Sequence, residues 1–446
     1  MNKKRIFLIP LVFGLILALS LSLLEAEGSS EPKKIITLYQ SGPSLVIENE
    51  EVELEDGLNK LVRYLPESVV TRTIFTISPD ASLRRAKTIP AVNSQEGLLE
   101  ELVGDIVSVV KSDGSGTVVK GELIGTFSGK PLLKTADNEM RLIDNPEEYR
   151  FESFQPGSME TRLELDLFAP EKTGTKLTVG YQLSKLNWSP QYVGFLDEED
   201  ETLTIRGVAH INNQTGWEFR GVQLWLLAGE PRRETETKYF ALARAQNAPE
   251  SSSPEQVFEY YRYKVGFPVD LSKGVETQIK FLHKGSVDYR KYYLFEPYSS
   301  PAVRTIMELT NTEEEGLGIP VASGPVRIYQ DTEEKTFIGE DSLPNLPVGE
   351  DVELELGDTF DVKGERTRLD HDKIGERIWK DQVELTVNNE KEKPVRVTVR
   401  ERLSGDWEIL RSSHDHEEVD SRTIKYEVTV PAKESVEISY LVQYEL

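Results

Sequence analysis

The sequence predicts an all-β protein: a multi-domain series of antiparallel, Ig-like β-sandwiches with a small SH3-like barrel module. Three observations carry this. Short runs rich in Val, Ile, Leu, Thr and Tyr alternate with turn residues along almost the whole chain. The most helix-like piece, Ser94 to Leu102, with Leu98, Leu99 and Leu102 at helical spacing, is short and closes at Gly104. A strand–Asn–turn–strand pattern recurs three times. The length, 446 residues, gives room for about three domains.

The elements follow in order. Lys3, Lys4 and Arg5 precede an apolar run, Ile6 to Leu24, and the small residues of Ala26-Glu27-Gly28. That pattern directs export, with residues 1–28 either a cleaved signal peptide or an uncleaved anchor of nearly spanning length. Everything after Gly28 is then expected outside the cytoplasm, secreted or membrane-anchored. Residues 33–93 read as an N-terminal β region, opening with a hairpin around Ser41-Gly42-Pro43. Residues 94–155 read as the small barrel module, with strands at Ile106–Val110, Val118–Ile124 and Met140–Ile143 between turns at Asp113–Gly116 and Gly129–Pro131. Residues 156–300 form a central sandwich that starts with the cleanly alternating Leu163–Leu167. It is interrupted by a loop-like composition over Arg233 to Gln256. Residues 301–446 form a C-terminal sandwich.

The repeats are Ala209–Asn213 before Val222–Leu227, Met307–Asn311 before Val326–Tyr329, and Leu385–Asn389 before Val395–Val399. Asn suits a strand end because it tolerates positive φ and bonds neighbouring backbone.

Composition excludes several functions. Lys and Arg total 52 against 77 Asp and Glu, a net charge of −25. With no basic cluster, nucleic acid is a poor partner. The absence of cysteine removes disulfides, thiolate metal sites and thiol nucleophiles. No HExxH, Gly-rich phosphate loop or G-x-S-x-G elbow occurs.

Three groups of residues resemble a known family. They are Leu186–Tyr192 (LNWSPQY), Ile211–Trp217 (INNQTGW) and Leu226–Pro231 (LLAGEP). Gly324–Gln330, Phe337–Asp341 and Gly405–Leu410 continue the pattern in order. From Lys33 to Leu446 the chain resembles the domain-of-unknown-function 4139 family. Its mucoidy-inhibitor relatives carry a long coiled coil between two β regions. This chain has no heptad run there and holds the small β module instead. The resemblance implies a β fold and an envelope or secreted location, and brings no catalytic residues.

Candidate sites compete with plainer readings. His414, His416 and Glu417 offer imidazole and carboxylate ligands for a divalent ion, although a charge run between strands is ordinarily a solvated turn. No tight zinc or calcium dependence is therefore expected, and no cofactor. The acid runs Asp197–Glu201 and Glu313–Glu315 lack the ligand spacing of a calcium loop. Glu230, in Gly229-Glu230-Pro231, is the residue most marked by the family pattern. It is either half of a carboxylate pair or a strand-end residue before Pro. Tyr260, Tyr261 and Tyr263 could stack on sugar rings or simply pack across strands. Trp188 and Trp407 read as folding anchors.

The function expected is an exported, non-enzymatic β-sandwich protein that binds a protein or polysaccharide at the cell surface. It would touch membrane only through an uncleaved N-terminal segment. The alternative is a carbohydrate-active protein, either a glycan-binding module or a glycoside hydrolase.

Overall fold

The computed structural model describes residues 33–92, 94–112, 116–151, 160–197, 201–229, 231 and 254–445. The export segment, Glu230, Glu198–Asp200, the turn at Asp113–Ser115 and most of the loop over 233–256 lie outside these residues.

The chain begins with β1 (Lys34–Tyr39), β2 (Ser44–Leu54), β3 (Gly57–Leu65), β4 (Val69–Ile77) and β5 (Ser82–Ile89). Helix α1 (Gln95–Glu101) precedes β6 (Ile106–Lys111), β7 (Val118–Phe127), β8 (Lys130–Lys134), β9 (Met140–Leu142) and β10 (Pro146–Phe151). Next come β11 (Thr161–Ala169), β12 (Thr173–Leu183), β13 (Leu186–Asp197), β14 (Thr202–Asn213) and β15 (Phe219–Ala228). They are followed by β16 (Glu255–Val257), β17 (Tyr260–Lys264), β18 (Val269–Leu271), β19 (Glu276–Asp288) and β20 (Arg290–Phe295). The chain continues through β21 (Ala302–Thr310), β22 (Gly324–Gln330), β23 (Phe337–Leu343), β24 (Asp351–Lys373) and β25 (Ile378–Asn389). It ends with β26 (Val395–Arg402), β27 (Asp406–Ser412), β28 (Glu417–Asp420), β29 (Thr423–Val430) and β30 (Ser435–Glu445).

Strand pairing runs across the boundaries read from sequence. One sheet has the order β16-β17-β15-β1-β2-β12-β4, so β1 lies parallel to β15, with Ile36 opposite Leu224. A three-stranded sheet, β3-β11-β5, shares one core with it through Leu163, Leu165, Val46 and Leu226. The N-terminal β region and the first half of the central one therefore bury a common apolar interior. Likewise β13 pairs parallel with β22, Tyr192 opposite Val326, in the sheet β19-β14-β13-β22-β23. Local alternation identifies each strand and its wet face, but it contains no term for a partner far along the chain.

The expected small barrel is an open sheet. Its order is β10-β6-β7-β8-β9, and the edge strands do not meet. The physical reason lies in α1, where Ser94 Oγ caps the helix by accepting from Gly97 N at 3.0 Å. Leu99 and Leu102 then pack on Val107, Val109, Leu123 and Leu133, covering the face that a closing strand would bury. β9 is three exposed residues long.

The threefold pattern is a structural repeat. The strands that lead into the three Asn residues pair antiparallel with later strands, β14 with β19, β21 with β24, and β25 with β30. Each Asn is buried and its Nδ2 donates to three carbonyls. Asn213 reaches Trp217, Leu271 and Ser272, Asn311 reaches Ile319, Leu346 and Pro347, and Asn389 reaches Lys393, Val430 and Pro431, all at 2.8–3.3 Å. The turn into each partner strand takes positive φ at Gly274 (69°), Gly349 (95°) and Lys433 (59°). The Asn residues themselves are not among the positive-φ residues. They clamp two turns together through their side chains rather than supplying a left-handed backbone.

Candidate binding cleft

The C-terminal sheet has the order β27-β30-β25-β24-β21-β20-β26-β29-β28 and folds over a core that includes Phe295, Val383, Val399, Tyr426 and Tyr440, while Met307 and Leu309 of β21 and Val352 and Leu354 of β24 belong to a second core. Its two edge strands, β27 and β28, are consecutive in sequence yet unpaired with each other. They are held near each other by Trp407 Nε1, which donates to Ser421 O at 2.8 Å, and by Leu403 N, which donates to Arg422 O at 2.7 Å. Between them lies a cleft of about 390 Å³ whose lining includes Trp407, Ile409, His416 and Glu418. That volume sits at the small end of the ~300–1,000 Å³ range of small-molecule sites.

Register decides what faces inward. Trp407 and Ile409 lie opposite Tyr444 and Val442, and Val442 is a core residue. Glu418 lies opposite the core residue Ile424. Asp406 and Glu408 of the exposed edge strand also line the cleft, whereas Glu417 does not and belongs to the outer face. There Glu417 pairs with Lys425 at 2.9 Å. The His416 ring sits 5.9 Å from that of Tyr426. The cleft therefore has an indole, an aliphatic side chain and the carboxylates of Asp406 and Glu408 on one wall, and an imidazole and the Glu418 carboxylate on the other.

The structure separates the predicted metal candidates. His414 Nδ1 lies 2.9 Å from Ser413 Oγ, Glu417 faces outward to Lys425, and only His416 lines the cleft. Among the described residues no three His, Asp or Glu side chains are grouped as a metal site. Glu313–Glu315 occupy an exposed turn.

The three tyrosines also part company. Tyr263 is buried, donates its hydroxyl to Pro320 O at 2.9 Å and meets Phe281 edge-on at 5.1 Å. Burial pushes its phenol pKa well up. Tyr261 and Tyr260 are half-buried, with Tyr261 opposite Ala228. The Tyr260 ring lies so close to Gly229 that a Cβ there would meet it at 2.7 Å. Gly229 also has a φ of 100°, which accounts for glycine at the strand end beside Glu230.

Sequence reasoning missed the buried polar groups of the C-terminal sheet. Glu401 is fully buried, and its Oε1 accepts from Arg366 Nε and Tyr440 OH, both at 2.7 Å. Burial raises the Glu401 carboxyl pKa although both partners oppose the rise. Arg366 in turn covers the Tyr298 ring at 4.8 Å. A second buried acid, Asp381, bonds His371 Nδ1 at 2.6 Å, and that imidazole stacks on Trp379 at 4.6 Å. The signal was present: Val395, Val397, Val399 and Glu401 share one strand face, as do Asp381, Val383 and Leu385. An acid in phase with buried aliphatics is a buried acid.

A second cavity, of about 380 Å³, lies on the outer face of the same sheet. Its acids are matched by cations, with Arg290 on Glu308, Arg400 on Glu353 at 2.9 Å and Lys425 on Glu427 at 3.1 Å.

No curated protein matches the chain. The family model described as "Domain of unknown function (DUF4139)" matches residues 177–446, more than half of the sequence. The match begins within β12 and takes in both cavities and the three Asn clamps. The chain therefore belongs to the DUF4139 family.

Proposed function

We propose that the protein is an exported, non-enzymatic binding protein that engages a protein or polysaccharide partner at the cell envelope through its C-terminal sandwich. The observation that supports this is the cleft between β27 and β28. It sets the half-buried Trp407 indole and Ile409 beside His416 and the exposed carboxylates of Asp406, Glu408 and Glu418. Recognition needs only an apolar platform and a few polar groups to orient the ligand. Export rests on the basic start and apolar run of the sequence.

Half-burial of Trp407 favours a second reading, that of a glycan-binding module. Its indole packs on the core and also lines the cleft, as a sugar platform would. The test is a glycan array with purified protein, followed by a reducing-sugar assay on any ligand found. Binding without sugar release, lost in Trp407→Ala, supports the glycan reading. Release of reducing ends would overturn the non-enzymatic one. Cell fractionation that leaves the protein in the cytoplasm would overturn export.

A further inference from the structure

The outer face of the three-stranded sheet β3-β11-β5 differs in charge from the rest of the molecule. Side chains directly opposite one another in register share a face, so this face can be written row by row. Tyr64, Arg162 and Ile89 form the first row, and Val62, Glu164 and Lys87 the second. Lys60, Asp166 and Arg85 form the third, and Leu58, Phe168 and Ser82 the fourth. At the register shift in β5, the Arg84 guanidinium lies over the Phe168 ring at 4.8 Å. The face carries five cations and two carboxylates, a local balance of +3 on a chain whose net charge is −25. Its apolar members are not hidden: Leu58 is 58%, Val62 43% and Tyr64 46% exposed.

We propose that this face seats on a bilayer containing anionic lipid. A solvated sheet face would need neither the exposed aliphatics nor the cation excess. A bilayer interface uses both, because apolar side chains enter the headgroup–acyl boundary while Lys and Arg lie at the phosphates. A soluble polyanion would reward the cations but leave Leu58 and Val62 in water. The acidic remainder of the surface is repelled by the same lipids, so the charge asymmetry also orients the molecule with this face toward the membrane. The sequence places an apolar run, Ile6 to Leu24, ahead of β1. Residues 25–33 between them could extend at most about 30 Å, which keeps the fold near any membrane that holds this run.

The absence of cysteine makes the test clean. Val62→Cys in the full chain, labelled with an environment-sensitive dye, gives a single probe on the face, and Thr429→Cys gives a control on the C-terminal sandwich. The dye at position 62 should shift to the blue with vesicles of phosphatidylcholine and phosphatidylglycerol. High salt should reverse the shift, and pure phosphatidylcholine should produce none. The control should not respond. In the Val62→Cys background, Lys60→Gln with Lys87→Gln should weaken the response about tenfold or more while leaving the thermal melt in place. Overturning results are no shift on anionic vesicles, an equal shift on neutral ones, or the same shift with dextran sulfate alone. The last would assign the face to a soluble polyanion.

Discussion

Trp188 and Trp407 look alike in sequence, each following a turn-prone stretch and opening a strand. They do different work in the structure. Trp188 is 1% exposed, donates Nε1–H to Leu227 O at 3.2 Å and meets Phe281 edge-on at 5.4 Å. Trp188→Ala should cost ~3–5 kcal/mol. Trp407→Ala, removing a half-buried ring and one hydrogen bond, should cost about 1–2 kcal/mol. Parallel thermal melts check this, and equal losses would refute the distinction. Glu401 gives a pH-dependent test. Its carboxyl pKa is raised in the folded state, so its contribution to stability is greatest below about 4.5 and declines as pH climbs through the raised value. Glu401→Gln removes that titration. Melting temperatures taken from about pH 4 to pH 8 should show the native protein losing ground to the Gln variant as pH rises. Parallel curves would show that Glu401 does not titrate in this window.

At the scale of elements, the Asn clamps explain how three strand pairs with unrelated loops keep one geometry. Each clamp fills both sides of a carboxamide: in the last repeat Asn389 Oδ1 also accepts from Lys391 N at 3.0 Å. Asn389→Ala leaves the buried Val430 carbonyl and the part-buried Lys393 and Pro431 carbonyls without that donor, and its expected cost is about 1–3 kcal/mol. Asn389→Asp should be as harmful, since it replaces the donor by a buried charge. The turns carry a milder constraint. Gly349 has φ near 95° and open space around its missing Cβ, so Gly349→Ala should cost about 1 kcal/mol through backbone strain alone. Chemical denaturation of these variants measures both effects. Asn389→Ala within 0.5 kcal/mol of the native protein would reduce the clamp to decoration.

For the whole molecule, interleaved pairing makes distant parts of the chain depend on one another. The family match starts at residue 177, inside β12, and leaves out β1, β2, β3 and β11. A chain of residues 177–446 would expose the β15 edge that β1 occupies and the apolar face that Leu163 and Leu165 cover. Such open edges invite aggregation. The expected outcome is an insoluble or non-cooperatively melting fragment, against a cooperative transition for the full chain. A soluble fragment with a sharp melt would show that the C-terminal strands stand alone.

Alternation, turn residues and the Asn repeat are local signals, and they sufficed to determine the all-β class, most strand positions, the one helix among the described residues and the wet face of many strands. Composition likewise removed cysteine chemistry without reference to shape. Three things were decided only by tertiary structure. One is the partnership of β1 with β15 and of β13 with β22, because strand pairing depends on contacts made far along the chain. Another is the open form of the small sheet, because α1 took the place of barrel closure. The third is the cleft, because β27 and β28 become edges only when the nine strands assemble into one sheet. His414, His416 and Glu417 are neighbours in sequence, but the pleat and the loop turn them to different surroundings. Trp407 and Glu418, eleven positions apart, are brought to one cavity by the same folding.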